Sequence, residues 1–190
     1  MIHATIKYRK EDESAMYPAR NFAKVVFYGE GKDCELLNQL IQFVDNHLQQ
    51  MYQDELVCIK SRKEQIKEET KRAINNKNGM FLLKELFCEE RELRSRVDIL
   101  KRSQKDDSSF RAHMYLNIFA LLRFSPNYQF IEEDGTTIRN FQLDIESDDL
   151  RNRVKLMKKS LIESSNEERQ SWRTIYKCEP SMLHEDEDVQ

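Results

Sequence analysis

Apolar residues recur at spacings of three and four over a long stretch of the chain that begins near residue 33. This spacing places them along one face of an α-helix. The stripe shifts its register near Tyr52, as at a stutter in a coiled coil. Its members are Leu37, Ile41, Val44, Leu48, Met51, Leu56, Ile59, Ile66 and Ala73. Charged residues such as Lys60, Arg62 and Lys63 crowd its later half, and the Asn-rich run at 75–79 predicts its end.

Two further segments keep helical spacing. Residues 80–101 carry a heptad stripe whose apolar members are Leu83, Leu86, Leu93, Val97 and Leu100. The short connection predicts that the first two helices form an antiparallel helical hairpin over residues 33–102. A last helix is predicted over residues 147–178, because Ser147 and two aspartates precede a new stripe and Pro180 follows it. That stripe contains Leu150, Val154, Met157, Leu161, Trp172 and Ile175.

Shorter segments with β-branched and aromatic residues predict strands. Residues 2–8 alternate in polarity and residues 22–28 are rich in Val, Phe and Tyr, which predicts a β-hairpin over residues 1–30. Residues 128–131 and 137–143 flank an Asp-Gly pair that is typical of a second hairpin. The stretch 110–124 fits a helix or a buried strand; its length favours a helix. Residues 108–145 are therefore predicted as a helix followed by a β-hairpin.

These elements predict an α+β fold dominated by helices, with long antiparallel helices of coiled-coil type and one or two β-hairpins. The chain has 190 residues, only four Gly and three Pro, and a formal net charge of -3. This length fits a single elongated domain over residues 1–180. Residues 181–190 contain four consecutive acidic residues and are predicted to form a disordered acidic tail.

The cysteines and the hydropathy of the chain predict its compartment. Cys34, Cys58, Cys88 and Cys178 lie far apart and form no CxxC pair, which favours free thiols in a reducing, intracellular compartment. No apolar run reaches the roughly 18 residues that are needed to span a bilayer. We therefore expect a soluble protein of the cytoplasm or nucleus that has no membrane contact.

Candidate catalytic chemistry is sparse. Gly29, Gly31 and Lys32 lie between a predicted strand and a predicted helix, where a phosphate-binding loop would lie. The full motif would place a glycine at Val26 and a serine or threonine at Asp33, so an ordinary turn is the better interpretation. The four histidines are scattered without metal-ligand spacing, and we expect neither metal nor cofactor. A nucleotide-binding enzyme centred on Lys32 is the weakest hypothesis, and no enzymatic activity is expected.

The length of the first helix indicates a binding function. The predicted helix over 33–75 is much longer than its partner over 80–101, so part of its apolar stripe is left for another helix. That helix belongs either to this chain or to a partner. The leading hypothesis is a non-catalytic interaction protein (an adaptor, inhibitor or assembly subunit) that binds another protein or itself as a homodimer. Its predicted partner-binding residues are Leu48, Met51, Leu56, Ile59 and Trp172.

A second hypothesis is a regulator that associates with nucleic acid through the last helix. Its basic residues are Arg151, Arg153, Lys155, Lys158 and Lys159. Such a cluster can neutralise phosphates, and the resulting binding would weaken steeply with salt. The isoelectric point of about 5.9 favours a solvated helix face over a nucleic-acid surface.

Overall fold

A computed structural model describes residues 2–9, 22–76, 79–106, 118, 122, 124–125, 130–133 and 136–184. Within these ranges the chain forms three long helices, α1 (Lys32–Ile74), α2 (Met80–Asp106) and α3 (Ser147–Ile175). The predicted α+β class with a majority of helix is confirmed. The predicted helix within 110–124 lies largely outside the described residues. Ile118 and Leu122 are helical and buried.

The strands are β1 (Ile2–Arg9), β2 (Phe22–Tyr28), β3 (Phe124–Ser125), β4 (Phe130–Glu133) and β5 (Thr136–Leu143). All of their pairings are antiparallel, and β1 lies between β2 and β5. The loops that would join β1 to β2 and β4 to β5 as hairpins lie outside the described residues. β1 also pairs with β5, and Ile2 is the register partner of Leu143. This pairing was not predicted because the two strands are far apart in sequence.

The chain divides into two compact units. Unit 1 contains the sheet, α1 up to Leu48 and α3 up to Leu161. Unit 2 contains α1 from Gln49, α2 up to Lys105, and α3 from Ile162 together with the segment that follows it. The prediction of one elongated domain over residues 1–180 stays a prediction, since a single domain can contain two such units.

The core of unit 1 lies between one face of the sheet and the two helices. Alternate residues of β1 and β2, such as Ile6 and Phe27, are buried on that face, as expected for a sheet with one covered side. The helical residues that pack in the same cluster are Leu37, Leu40, Ile41, Val44 and Leu48 of α1 and Leu150 and Val154 of α3. The predicted stripe of α1 is therefore buried in this unit, whereas that of α3 is buried at Leu150 and Val154 and partly buried at Met157 and Leu161.

The end of α3 differs from the prediction. The helix stops at Ile175, five residues before Pro180. Lys177 has a left-handed backbone, with φ of 50°, and the Cys178 N–H donates to Arg173 O at 3.2 Å, which is the bond pattern of a Schellman cap. The turn leaves Ile175 exposed. It buries Tyr176, Cys178 and Leu183. Residues 185–190 lie outside the described residues, so the disordered tail stays a prediction.

An asparagine on α1 covers the outer edge of the sheet. Among the described strands β2 lies at the edge, where its backbone groups lack a further strand. Phe27 N donates to Asn38 Oδ1 at 3.1 Å, and Asn38 Nδ2 donates to Phe27 O at 3.0 Å. The side chain thus makes the two bonds that another strand would make.

Replacing Asn38 by Ala should lower the free energy of unfolding by about 1–2 kcal/mol, because two hydrogen bonds are lost. Urea unfolding followed by circular dichroism measures this difference. Gln39 is an exposed neighbouring amide on the same helix, and Gln39→Ala should change stability by less than about 0.5 kcal/mol. An equal loss in both variants would contradict the proposed bridge.

Candidate functional site

The core of unit 2 is built from residues that repeat at heptad spacing. Ile59, Ile66 and Ala73 of α1 are buried, and so are Leu86, Leu93 and Leu100 of α2. Because residues seven apart lie on the same side of a helix, each helix presents one apolar seam to the core. Apart from Ala73, these residues belong to one cluster, which also contains Met51, Cys58, Trp172, Tyr176, Cys178 and Leu183.

Two bidentate ion pairs join α1 to α2. The Arg62 guanidinium donates to Glu89 at 2.6 and 2.8 Å, and the Arg96 guanidinium donates to Glu55 at 2.7 and 2.8 Å. From the first pair to the second, the residue number on α1 decreases by seven and the residue number on α2 increases by seven. The paired segments therefore run antiparallel. Arg62 and Glu55 are buried. The hydrogen bonds that Arg62 donates to Glu89 and Glu69 raise the pKa of Arg62 despite its burial, so it stays charged.

A second set of polar contacts joins α1 to α3 and to the segment after it. Arg169 Nε donates to the buried carboxylate of Asp54 at 2.9 Å, and His184 Nδ1 lies 2.7 Å from the other oxygen. The Tyr176 hydroxyl donates to Glu55 Oε1 at 2.8 Å, and burial together with this bond raises the pKa of Tyr176. These contacts place the end of α3 on one flank of the α1–α2 pair.

The other flank carries a surface groove. This α1–α2 groove encloses about 520 Å³. Its lining residues are Leu56, Ile59, Lys60, Lys63, Glu64 and Lys67 of α1 and Glu90, Arg94 and Val97 of α2. Lys63 follows Asp54 by nine residues, which is about two and a half turns, so the two side chains leave α1 on opposite sides. The groove therefore lies away from α3, and its apolar floor consists of Leu56, Ile59 and Val97.

Three exposed apolar residues share the groove side of α1 and α2. Ile74, Met80 and Phe87 are 66%, 82% and 60% exposed. Ile74 lies seven residues after Lys67, and Phe87 lies seven residues before Arg94, so both share the groove side of their helices. Met80 lies a further seven residues before Phe87. We call Ile74, Met80 and Phe87 the groove extension.

The walls of the groove are mainly cationic. Lys60, Lys63 and Lys67 lie along the α1 wall and Arg94 lies on the α2 wall. The lining contains four cations and two carboxylates, a formal excess of two positive charges. Lys67 pairs with Glu64 at 2.7 Å and Arg94 pairs with Glu90 at 2.6 Å, and both pairs are largely exposed. The groove thus combines an apolar floor with positive walls.

The predicted partner-binding residues fall into two groups. Leu56 and Ile59 line the groove, whereas Leu48, Met51 and Trp172 are buried in the cores of this chain. Their contact with a partner stays a prediction. The groove extension was missed because Met80 and Phe87 lie outside the heptad stripe.

The predicted nucleic-acid-binding residues lie near carboxylates and an aromatic ring. Arg151 lies 3.3 Å from Asp148, and Arg153 lies 2.9 Å from Asp149. Lys158 Nζ lies 5.1 Å from the centre of the Phe43 ring. Lys155 and Lys159 are exposed. The aspartates offset part of the positive charge, and binding of nucleic acid here stays a prediction.

The described residues provide neither a metal-binding cluster nor a helix suited to cross a bilayer. No group of three or more His, Cys, Asp or Glu side chains in those ranges is placed to hold a metal ion. Within the same part of the chain, none of the helices combines the length and the apolar character needed to cross a membrane. Cys34, Cys58 and Cys178 are buried free thiols, and Cys88 is exposed.

Comparison with known proteins assigns no role to the groove. No protein-family model, no curated protein and no solved structure matches the chain. The contacts, burial and charge of its own residues are therefore the basis for a functional proposal.

Replacing Arg62 by Met should lower stability near pH 7 by about 2–3 kcal/mol, because its charged hydrogen bonds to Glu89 and Glu69 are lost. Arg62 also lowers the pKa of Glu69 below its ordinary value of 4.5. That interaction stabilises the fold above this value and is lost as the pH falls through the lowered pKa. The variant should therefore lose less stability than the wild type on acidification.

Urea unfolding at about pH 7 and about pH 3 measures both effects. The matched control is Arg94→Met, which breaks an exposed pair with Glu90 and should cost less than about 1 kcal/mol. An Arg62→Met variant with the stability and acid sensitivity of the wild type would show that this pair does not stabilise the unit.

Proposed function

We propose that this chain is a non-catalytic interaction protein, such as an adaptor, inhibitor or assembly subunit, and that its α1–α2 groove receives a protein partner. One observation supports this most directly. Leu56 and Val97 line the groove, and Ile74, Met80 and Phe87, which heptad spacing places on the same side of the two helices, are more than half exposed. An apolar surface of this kind, bordered by charged residues, is typical of a protein interaction site.

The shape of the groove favours a helical partner. Two antiparallel helices leave a long depression on each flank, and α3 with its following segment fills the depression at Asp54 and Glu55. A helix on the other flank would complete a four-helix arrangement and bury the groove extension. The predicted coiled-coil character of α1 and α2 is part of this proposal, since their heptads would also contact the added helix. Met80 and Phe87 provide adaptable and aromatic contact surface.

The predicted partner-binding set is revised within this proposal. Leu56, which is only partly buried, stays in the proposed surface. Ile59 lines the groove but is fully buried, and Leu48, Met51 and Trp172 are each less than a tenth exposed, so these four are left out. The groove serves a protein partner, which is either a different protein or a second copy of this chain.

Association with nucleic acid through α3 is the alternative function. It would use Arg151, Arg153, Lys155, Lys158 and Lys159. The ion pairs of Arg151 and Arg153 with aspartates count against it, because carboxylates repel phosphates. It predicts a partner that is lost on nuclease treatment or at raised salt.

The double variant Met80→Ala/Phe87→Ala should reduce capture of the partner about thirtyfold or more, since buried aromatic anchors contribute roughly 2 kcal/mol or more to an interface. The measurement is affinity purification of the tagged chain from its own source, after nuclease treatment, with mass spectrometry. Both residues are exposed, so circular dichroism and the melting temperature should stay unchanged.

The control variant is Phe81→Ala. Phe81 is 72% exposed on the same helix. It lies six residues before Phe87, so the two side chains are on different faces of the helix. Partners that the double variant loses and the control retains support the proposal. Equal recovery with both variants would refute the groove as the docking surface, and partners that disappear with nuclease would favour the alternative.

A further inference from the structure

The cations of the groove are regularly spaced. Lys60, Lys63 and Lys67 follow one side of α1 at intervals of three and four residues, so they span about 10 Å at 1.5 Å per residue. Arg94 faces them from the α2 wall. The apolar floor is therefore flanked by positive charge on both sides over about two helical turns.

We infer that the occupant of the groove is an amphipathic helix of a different protein, with Glu or Asp residues flanking its apolar stripe. This inference rests on the proposed function and adds the chemistry of the partner. A helix that lays apolar residues on Leu56 and Val97 places its flanking residues beside the walls. Acidic residues there would pair with Lys60 and Lys63, which favours this partner over neutral or basic helices.

A second copy of this chain fits the groove less well. In a symmetric dimer the same surface of each copy meets the other, so two sets of lysine-lined walls would face each other. Each groove has a formal excess of two positive charges, and like charges at a closed interface are unfavourable. Charge therefore favours a partner that is not this chain.

The chain's own acidic residues and nucleic acid also fit the groove less well than an acidic amphipathic helix does. Positions 185–188 are Glu or Asp, and the tail that follows contains one apolar residue, Val189, so it has no stripe to cover the floor. Nucleic acid would match the lysines. It would leave Ile74, Met80 and Phe87 uncovered and bring phosphates close to Glu64 and Glu90. An acidic amphipathic helix satisfies both the apolar and the charged parts of the site.

Selection from a displayed library of helical peptides tests this inference. Each peptide has leucines at heptad spacing, and its flanking positions vary among Glu, Gln and Lys. The full chain is the target, and the expected result is enrichment of Glu at the flanking positions. A selected peptide should bind Lys60→Glu/Lys63→Glu about tenfold or more weakly, because close charge pairs become repulsive.

A charge-matched control keeps this result specific. Lys84→Glu/Arg102→Glu makes the same change in net charge on exposed residues of α2. Each of them lies nine residues from Leu93, so both face away from the core seam. This control should bind the peptide within about twofold of the wild type, apart from a small long-range effect that salt screens. Lys60→Gln/Lys63→Gln should lose less affinity than the reversal, and circular dichroism verifies the fold of each variant.

The outcomes separate this inference from the proposed function. If the enriched peptides have Gln or Lys at the flanking positions and their binding still requires Phe87, the acidic partner is overturned and the groove remains a docking surface. Failure to enrich any helical peptide, or binding that is indifferent to Met80→Ala/Phe87→Ala, would overturn both. The inference is also overturned if a single-stranded oligonucleotide displaces the peptides, if deleting residues 185–190 strengthens binding about tenfold, or if sedimentation shows a dimer that Met80→Ala/Phe87→Ala dissociates.

Discussion

Two buried residues on α1, Glu55 and Arg62, set the register of its contact with α2. Each makes a bidentate ion pair with a residue of α2. An apolar seam tolerates sliding, whereas a shift of one residue along either helix would separate these planar, directional pairs. The cost of a buried, unpaired charge therefore selects one alignment. The seven-residue steps on both helices then bring Ile59 and Ile66 into the same core as Leu86 and Leu93.

The groove is a consequence of that alignment. Asp54 and Glu55 hold Arg169 and Tyr176 on one flank of the α1–α2 pair, so the chain covers that flank itself. On the other flank no described element contributes to the groove lining beyond α1 and α2. Its floor carries Leu56 and Val97, whose side chains are only partly buried. The same helices thus provide a closed core on one side and an open, apolar, positively lined surface on the other.

The sequence predicted the elements better than the site. The helix bounds agree to within a few residues because apolar spacing and Gly79 are local signals, and strand pairing was missed because β1 and β5 are distant in the chain. Arg62 was noted only as one of the charges that crowd the later half of the first stripe, and its burial was not predicted. Its partner Glu89 is 27 positions away, and periodicity does not reveal such a partner. Leu56 and Ile59 were identified from the stripe. Met80 and Phe87 were missed because their role depends on which face of α2 the core leaves exposed.

A protein partner that occupies the α1–α2 groove would contact the side chains that line it. Methyl NMR of the Ile, Leu and Val side chains, recorded on the full chain with and without the captured partner, measures this contact. Shifts are expected at Leu56, Ile74 and Val97, with little change at the exposed Val57 and Ile99, which lie on other helix faces. Shifts at Val57 or Ile99 without any at Leu56, Ile74 and Val97 would contradict occupancy of the groove.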